Sequence, residues 1–290
     1  MPAELYLNVA VSGLLTGLIY GLSALGLSVI FGVIRIVNFA HGEIMVLGMF
    51  ATLVLFRHLG IDPLMSVPLV AALLFAFGYV LQDVVVRRVT HLAEHMQFLL
   101  MAAIAVVLIS LCLMIFGPDA QGAFVDYAYD SYAIGPLIID KVRLYAGAAA
   151  LVISGLLFAF FKFTATGKAI RACSDNSVGA LVVGLNVRRL YALTFGIGTA
   201  CLGAAGAIML LLVDVHPYLG PSYTLLAFII VIIGGMGSLP GALLGGVLVG
   251  VSEAVAGIVL QPSLKSAFSF ALLILVLLLR PQGLLGKAVR

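Results

Sequence analysis

The sequence predicts an all-α polytopic membrane protein with about eight or nine transmembrane helices, some of them broken or re-entrant. Of its 290 residues, 63% are hydrophobic and only 9% are charged, whereas soluble domains carry roughly 25% charged residues. Apolar runs that approach the roughly 20 residues needed for a span recur from one end of the chain to the other. Because lipid offers backbone amides no partner, we expect these runs to be helices.

From these runs we expect residues 1–290 to form one transmembrane domain without an attached soluble domain. In chain order they are residues 7–34, 43–56, 66–86, 98–116, 144–161, 190–213, 223–233, 241–260 and 266–279. Residues 43–56 and 223–233 are short, and each borders a polar, glycine-rich break. We expect the broken or re-entrant helices there. The N-terminus lacks a basic n-region and a small-residue cleavage site, so we interpret it as the start of a span.

The distribution of charged residues predicts which helix ends face the cytoplasm. Residues 161–189 carry five basic residues and a single acid, Asp175, so we expect this segment to be cytoplasmic. Residues 117–140 carry four aspartates, so we expect that segment to face outward. Six further basic residues support a cytoplasmic C-terminus: Arg87, Arg88, His91, Arg280, Lys287 and Arg290. The N-terminus lies outside if residues 43–56 cross the membrane and inside if they are re-entrant.

The first polar break is the stretch "NFAHGEIMVLG" at residues 38–48, which places Asn38, His41 and Glu43 beside Gly42 in an apolar chain. Polar and charged side chains are costly in a bilayer and mark functional pathways there. The alternative is structural: His41 is then a hydrogen-bonded packing residue, and Glu43 only stabilises the first turn of the next helix. We expect these four residues to line the translocation pathway or to support a broken helix.

The second break is "IIGGMGSLPGALLGG" at residues 232–246, where Gly234, Gly235 and Gly237 interrupt the apolar pattern. Transporters use paired broken helices near the bilayer midplane for their substrate site, and here one break lies in each half of the chain. The alternative is an ordinary tight turn between closely packed helices. Glu253, inside the next apolar run, faces either a pathway or the polar atoms of another helix.

Residues 163–189 form a long, basic segment between two apolar runs. The pattern predicts a short helix from Gly167 and a second helix over residues 177–183 that ends at Gly184. Asp175, Asn176 or Ser177 is expected to cap the second helix. Two short helices with a compact apolar surface favour a docking site for a soluble partner over a solvated linker.

The sequence resembles the shorter permease subunit of bacterial branched-chain amino acid ABC transporters. Four stretches carry the resemblance, which covers nearly the whole chain, although residues 117–140 contribute nothing specific. They are "GLIYGLSALGLSVIFGVIRIVNFAHGEIMVLG" (17–48), "GKAIRACSDNSVGALVVGLNVRRLYALTFGIG" (167–198), "HPYLGPSYTLLAFIIVIIGGMGSLPGALLGGVLVGVSEA" (216–254) and "SFALLILVLLLRPQGLLG" (269–286).

The resemblance implies that residues 163–189 dock an ATPase. The residues concerned are Gly167, Lys168, Arg171, Asp175, Val178, Gly179, Ala180, Leu181 and Gly184. ABC permeases generally carry an E-A-A-x-x-x-G pattern here; in this chain Val178 and Gly179 replace the Glu and the first Ala, while Ala180 and Gly184 match.

The resemblance also implies the partners: a second, paralogous permease, two cytoplasmic ATPases and a periplasmic binding protein, in the inner membrane of a bacterium. The chain has no phosphate-binding loop of the G-x-x-x-x-G-K-[ST] type, so we expect a permease without ATPase activity of its own. We expect no nucleic acid partner and no cofactor. Cys112, Cys173 and Cys201 lack metal-binding spacing, so we expect no metal site.

Leucine, isoleucine and valine are the substrates that the resemblance implies, while related importers carry urea, short amides or aromatic acids. A different class, an ion-coupled secondary transporter or channel, would use Glu43 and Glu253. An intramembrane enzyme is a weaker alternative, because the chain has neither HExxH nor G-x-S-x-G.

Overall fold

The computed structural model describes residues 3–90, 92–135, 137–259 and 265–286. His91, Lys287 and Arg290, which contribute to the predicted orientation, lie outside the described residues, as does Leu260 at the end of a predicted span. Eleven α-helices are described: α1 Ala3–Ile34, α2 His41–Leu59, α3 Pro63–Val84, α4 Glu94–Phe116, α5 Lys141–Phe163, α6 Ala165–Asp175, α7 Ser177–Val182, α8 Val187–Met209, α9 Gly220–Gly234, α10 Leu239–Val259 and α11 Lys265–Leu279.

The prediction of a polytopic all-α membrane protein is confirmed. Within the described ranges, eight helices are long and apolar enough to cross a membrane, and α11 adds a shorter apolar helix. A small antiparallel hairpin, which the sequence pattern did not predict, lies between α4 and α5. Its strands are β1 Ser131–Ile134 and β2 Leu137–Asp140, and Gly135 between them adopts a φ of 61°.

Two contacts define the ends of the helix bundle. At one end, which we call the hairpin face, the side chain of Asn8 near the start of α1 accepts a 2.8 Å hydrogen bond from the Ile138 backbone N–H in β2. At the other end, which we call the coupling face, the Ser174 hydroxyl of α6 donates a 2.6 Å hydrogen bond to the Gly32 carbonyl near the end of α1. The helix α1 therefore runs from the hairpin face to the coupling face.

The helix α2 returns to the hairpin face, where Arg57 near its end hydrogen-bonds Gln121. With 19 residues it is long enough to cross a bilayer, so the structure favours a crossing segment over a re-entrant one. The described C-terminal residues lie at the coupling face, since the Leu284 and Leu285 backbone N–H groups donate to carbonyls at the end of α9. The start of α1 and the end of α11 are thus on opposite faces.

Close helix packing in the core joins α1 to α10. Three glycines of α1 at four-residue spacing face three small residues of α10 at the same spacing: Gly13, Gly17 and Gly21 against Gly246, Gly250 and Ala254. A Cβ atom added at Gly17 would lie 2.7 Å from the Gly246 carbonyl oxygen and 2.8 Å from the Val247 Cα. Small residues at this spacing let backbones touch, which drives helix association where lipid removes the hydrophobic effect.

Candidate functional site

The candidate site begins at the break between α1 and α2. Residues 35–40 are not helical, and Arg35 adopts a left-handed φ of 60° directly after α1. Asn38 and His41 are completely buried, and Glu43 is 4% exposed. The Asn38 side-chain oxygen accepts a 3.0 Å hydrogen bond from the Ala40 backbone N–H and so shapes the turn into α2. The polar residues predicted from the sequence are therefore held inside the protein.

The start of α9 is the partner of this break. The Gly42 backbone N–H donates a 2.8 Å hydrogen bond to the Thr224 hydroxyl, which in turn donates to a carboxylate oxygen of Glu43 at 3.1 Å. A Cβ atom at Gly42 would lie 2.7 Å from the Thr224 backbone nitrogen, so only glycine fits there. One hydroxyl thus joins the first turn of α2 to the first turn of α9.

His41 has an unusual environment for a buried histidine. The backbone of Ser23 in α1 lies beside the ring, yet neither ring nitrogen makes a hydrogen bond of good geometry, and the Asn38 amide nitrogen also lacks a partner. Buried polar groups without partners are rare because each costs about 1–3 kcal/mol. Asn38 and His41 therefore place polar atoms at this break that no neighbouring helix satisfies.

Glu253 lies on the other side of the start of α9. Its carboxylate accepts a 2.9 Å hydrogen bond from the Ser269 hydroxyl of α11 and another from the Tyr20 hydroxyl of α1, and Tyr223 lies close to it. Because Tyr223 and Thr224 are adjacent, the first turn of α9 lies between the two carboxylates, Glu253 and Glu43. The structure therefore brings both acids to the same end of this helix.

Gly234, Gly235 and Gly237 lie at the opposite end of α9, at the coupling face. Gly235 and Gly237 have φ values of 102° and 79°, which other residues rarely adopt. Gly237 packs on Gly32 of α1, and a Cβ at Gly235 would lie 2.6 Å from the Gly286 Cα. The two glycine-rich breaks do not meet in this structure; the first break meets Gly220 instead, and the second forms a tight turn.

The helices α6 and α7 form the exposed coupling segment. Thr164 caps α6 by accepting a 3.0 Å hydrogen bond from the Gly167 backbone N–H, and Ile170 and Cys173 bury one face. Burial raises the pKa of the Cys173 thiol, which therefore stays protonated at neutral pH. Lys168 and Arg171 lie on the exposed face.

Asn176 caps α7, since its side-chain oxygen accepts a 2.8 Å hydrogen bond from the Gly179 backbone N–H. The helix ends at Gly184, whose φ of 83° is the left-handed conformation expected from the sequence. Ala180 is buried under the helix, whereas Val178, Leu181, Val182 and Val183 are between 59% and 82% exposed. An apolar surface of this size on a short helix favours contact with another protein.

The chain is similar to permeases over nearly its whole length. A family model described as "Branched-chain amino acid transport system / permease component" matches residues 9–277. The chain belongs to this permease family. The permease is 32% identical to the high-affinity branched-chain amino acid transport system permease protein LivH of Salmonella typhimurium, over 97% of this chain and 96% of that protein.

A second relative of the permease is BraD of Pseudomonas aeruginosa, a high-affinity branched-chain amino acid transport system permease protein with 30% identity over 97% of this chain and 96% of its own length. A solved structure, PsaBC from Streptococcus pneumoniae in complex with Fab, aligns with 93% of the permease and 91% of that chain at 13% identity and a TM-score of 0.44. That similarity is too distant to inform the site.

Sequence reasoning missed several residues that complete the site of the permease. Thr224 and Gly220 stand out in the sequence only as a hydroxyl and a glycine beside an apolar run, and Tyr20 lies inside one. Their roles depend on which helices become neighbours, and the sequence does not show this. At the coupling face, the Arg87 side chain, four residues from Asp83, lies 3.9 Å from its carboxylate, whereas Arg188 of α8 binds both Asp83 oxygens at 2.7 and 2.8 Å.

Proposed function

We infer that this chain is the permease subunit of an ATP-driven ABC importer that moves leucine, isoleucine and valine by alternating access. The observation that carries this proposal is the coupling segment, α6 and α7, which presents an exposed apolar surface while its inner face is anchored on the bundle. A permease that works alone has no use for such a surface, whereas an ATPase partner would bury it. The relatives are named for branched-chain amino acid transport, which supports the substrates.

The proposed assembly contains this chain, a second and paralogous permease, two cytoplasmic ABC ATPases and a periplasmic binding protein, in the lipid of a bacterial inner membrane. Within it, Gly167, Lys168, Arg171, Asp175, Val178, Gly179, Ala180, Leu181 and Gly184 form or support the ATPase-docking surface. Ala180 and Gly167 are buried, so their part is to hold the two helices in place rather than to touch the partner.

The coupling face is then the cytoplasmic side. This assignment follows the positive-inside rule for residues 161–189. It places the start of α1 outside and the end of α11 in the cytoplasm, in agreement with the helix directions.

Movement of the coupling segment has a direct route to the candidate site. Closure of the ATPases on α6 would pull on α1 through the hydrogen bond from Ser174 to Gly32. Farther along α1, Ser23 lies beside His41, and His41 begins the helix that Thr224 joins to α9. We infer that α2 and α9 separate and close around this contact, with Asn38, His41, Glu43 and Glu253 near the pathway.

Co-purification tests this function. The tagged chain is extracted from native membrane in mild detergent, and the proteins retained with it are identified by mass spectrometry. We expect a second permease and ABC ATPases. In a matched pair of variants, Leu181→Asp, in the exposed apolar surface of α7, should lose the ATPases. Phe124→Asp, at a position near the hairpin face that is even more exposed, should keep them.

Two results would count against the proposal. Recovery of the chain alone, together with ion-dependent flux in liposomes, would assign it to ion-coupled transport and direct attention to Glu43 and Glu253. Loss of the ATPases in both variants alike would show that the apolar surface of α7 is not the contact. The binding protein that is encoded with the complex would report the substrate, including urea, short amides or aromatic acids as the alternatives.

A further inference from the structure

A cavity of about 470 Å³ lies at the coupling face between α1, α6 and the turn that joins α9 to α10. The residues that line the cavity indicate its depth in the membrane. Phe161 lies near the end of α5, and Leu239 is the first residue of α10. Since both spans end at the cavity, it lies at the level where the hydrocarbon gives way to lipid headgroups.

The walls of this cavity combine positive charge with apolar surface. Lys168 and Arg171, three residues apart on α6, line one side. Asp175 also lines the cavity, so its carboxylate offsets one of the two cations and the charged side chains of the wall sum to one net positive charge. Val29 and Val33 of α1 contribute apolar surface on the opposite side. An anion with an attached apolar group matches this lining.

Ser28 gives an independent indication of a ligand. Its side chain lines the cavity, the residue is 1% exposed, and its hydroxyl oxygen has no hydrogen-bond partner. A serine in a helix commonly donates to the carbonyl four residues earlier, as Ser154 does to Ala150 in α5. A buried hydroxyl without a partner, on a residue that lines the same cavity as two cations, is available to donate to an oxyanion.

We propose that this cavity binds the phosphate headgroup of an anionic phospholipid from the leaflet at the coupling face. Basic pockets between transmembrane helices on the cytoplasmic side recognise such headgroups. Lys168 and Arg171 contact the phosphate, the Ser28 hydroxyl donates to one of its oxygens, and the glycerol and acyl chains lie against Val29 and Val33. The bound lipid holds α6 against α1 beside the hydrogen bond from Ser174 to Gly32. The proposal does not depend on which substrate the permease carries.

Native mass spectrometry of the purified complex tests the site, with phosphatidylglycerol as the probe and phosphatidylcholine as the neutral comparison. Because Lys168 and Arg171 also belong to the proposed ATPase-docking surface, lipid binding is scored separately on the ATPase-bound and the ATPase-free permease. The variant that combines Lys168→Gln and Arg171→Gln should bind phosphatidylglycerol about 30-fold more weakly, because each basic residue near an anionic surface contributes roughly fivefold. The matched control combines Lys162→Gln and Arg189→Gln, two basic residues that lie outside the cavity wall among the residues described. It should bind the lipid as the wild type does.

A second variant separates a shaped site from general attraction to charge. Ala172 is exposed and lines the cavity, so Ala172→Phe fills the space without changing any charge. We expect it to lose the lipid as the double-glutamine variant does. Equal retention of phosphatidylglycerol in all variants, or equal retention of phosphatidylcholine by the wild type, overturns the proposal. Displacement of the lipid by millimolar inorganic phosphate also overturns it, because the cavity would then belong to a soluble phosphate compound.

Discussion

Gly17→Ala tests the contact between α1 and α10 most directly. Ordinary van der Waals contact with a Cβ atom begins at 3.4 Å, whereas the new methyl group would lie 2.7 Å from the Gly246 carbonyl oxygen. The helices must therefore separate by about 0.7 Å at this point. The two atoms that the methyl group would meet, the Gly246 carbonyl oxygen and the Val247 Cα, belong to the backbone, so no change of side-chain rotamer can relieve the contact. Overpacking of this kind costs about 1–3 kcal/mol.

Gly155→Ala in α5 is the matched control. A Cβ atom at Gly155 meets nothing within 4 Å, so the substitution adds a methyl group in open space. Any gain in helix propensity, roughly 0.5–1 kcal/mol, is common to both variants and cancels in the comparison. The difference in free energy of unfolding between the two variants should thus be about 1–3 kcal/mol.

Denaturant unfolding of the purified chain in one detergent measures this difference, with helix content followed by circular dichroism. The midpoint of Gly17→Ala should fall below that of the wild type, and the midpoint of Gly155→Ala should equal or exceed it. Equal midpoints for the two variants would refute the reasoning, because they would mean that α1 and α10 do not touch at Gly17.

Three further predictions concern single contacts. Thr224→Val removes the hydroxyl between α2 and α9 and should lower the free energy of unfolding by about 1–3 kcal/mol. Thr224→Ser keeps the hydroxyl and should behave as the wild type. An equal loss of stability in both variants would contradict the role of the hydroxyl. Asn176→Ala should cost α7 about 1 kcal/mol and speed hydrogen exchange in this helix alone, so unchanged exchange would argue against the cap. A double-mutant cycle should give Asp83 a larger, salt-sensitive coupling to Arg188 than to Arg87, and the reverse order would contradict the geometry.

Local signals in the sequence predicted the coupling segment well. A capping residue acts on amides two or three positions away, and a glycine at the end of a helix relieves strain in its own backbone. Both effects depend only on neighbours in the chain. Asn176 and Gly184 accordingly occupy the positions that the pattern assigned to the ends of the second helix. The hairpin between α4 and α5 was not predicted because its strands are only four residues long.

The candidate site could be predicted only in part. The polar residues at positions 38–43 were evident because charged and amide side chains are rare in an apolar chain. The residues that contact them could not be predicted. The second glycine-rich break, at residues 234–237, lies at one end of α9, whereas Gly220, which contacts the first break, lies at the other end. Likewise, Arg188 is 105 residues from Asp83 in the chain. Its ion pair with Asp83, which is shorter than that of the neighbouring Arg87, forms only because α3 and α8 pack side by side.

By itself, the sequence determined the class of protein, the approximate number and positions of its apolar helices, the two ends of α7 and the presence of polar groups in an apolar chain. These follow from hydropathy and from interactions within a few residues. The tertiary structure alone decided that α1 joins α10 through facing glycines, that Thr224 connects Glu43 to α9, and that Ser28, Lys168 and Arg171 line one cavity. Each of these contacts joins residues far apart in the chain, and the packing of whole helices in the membrane brings them together.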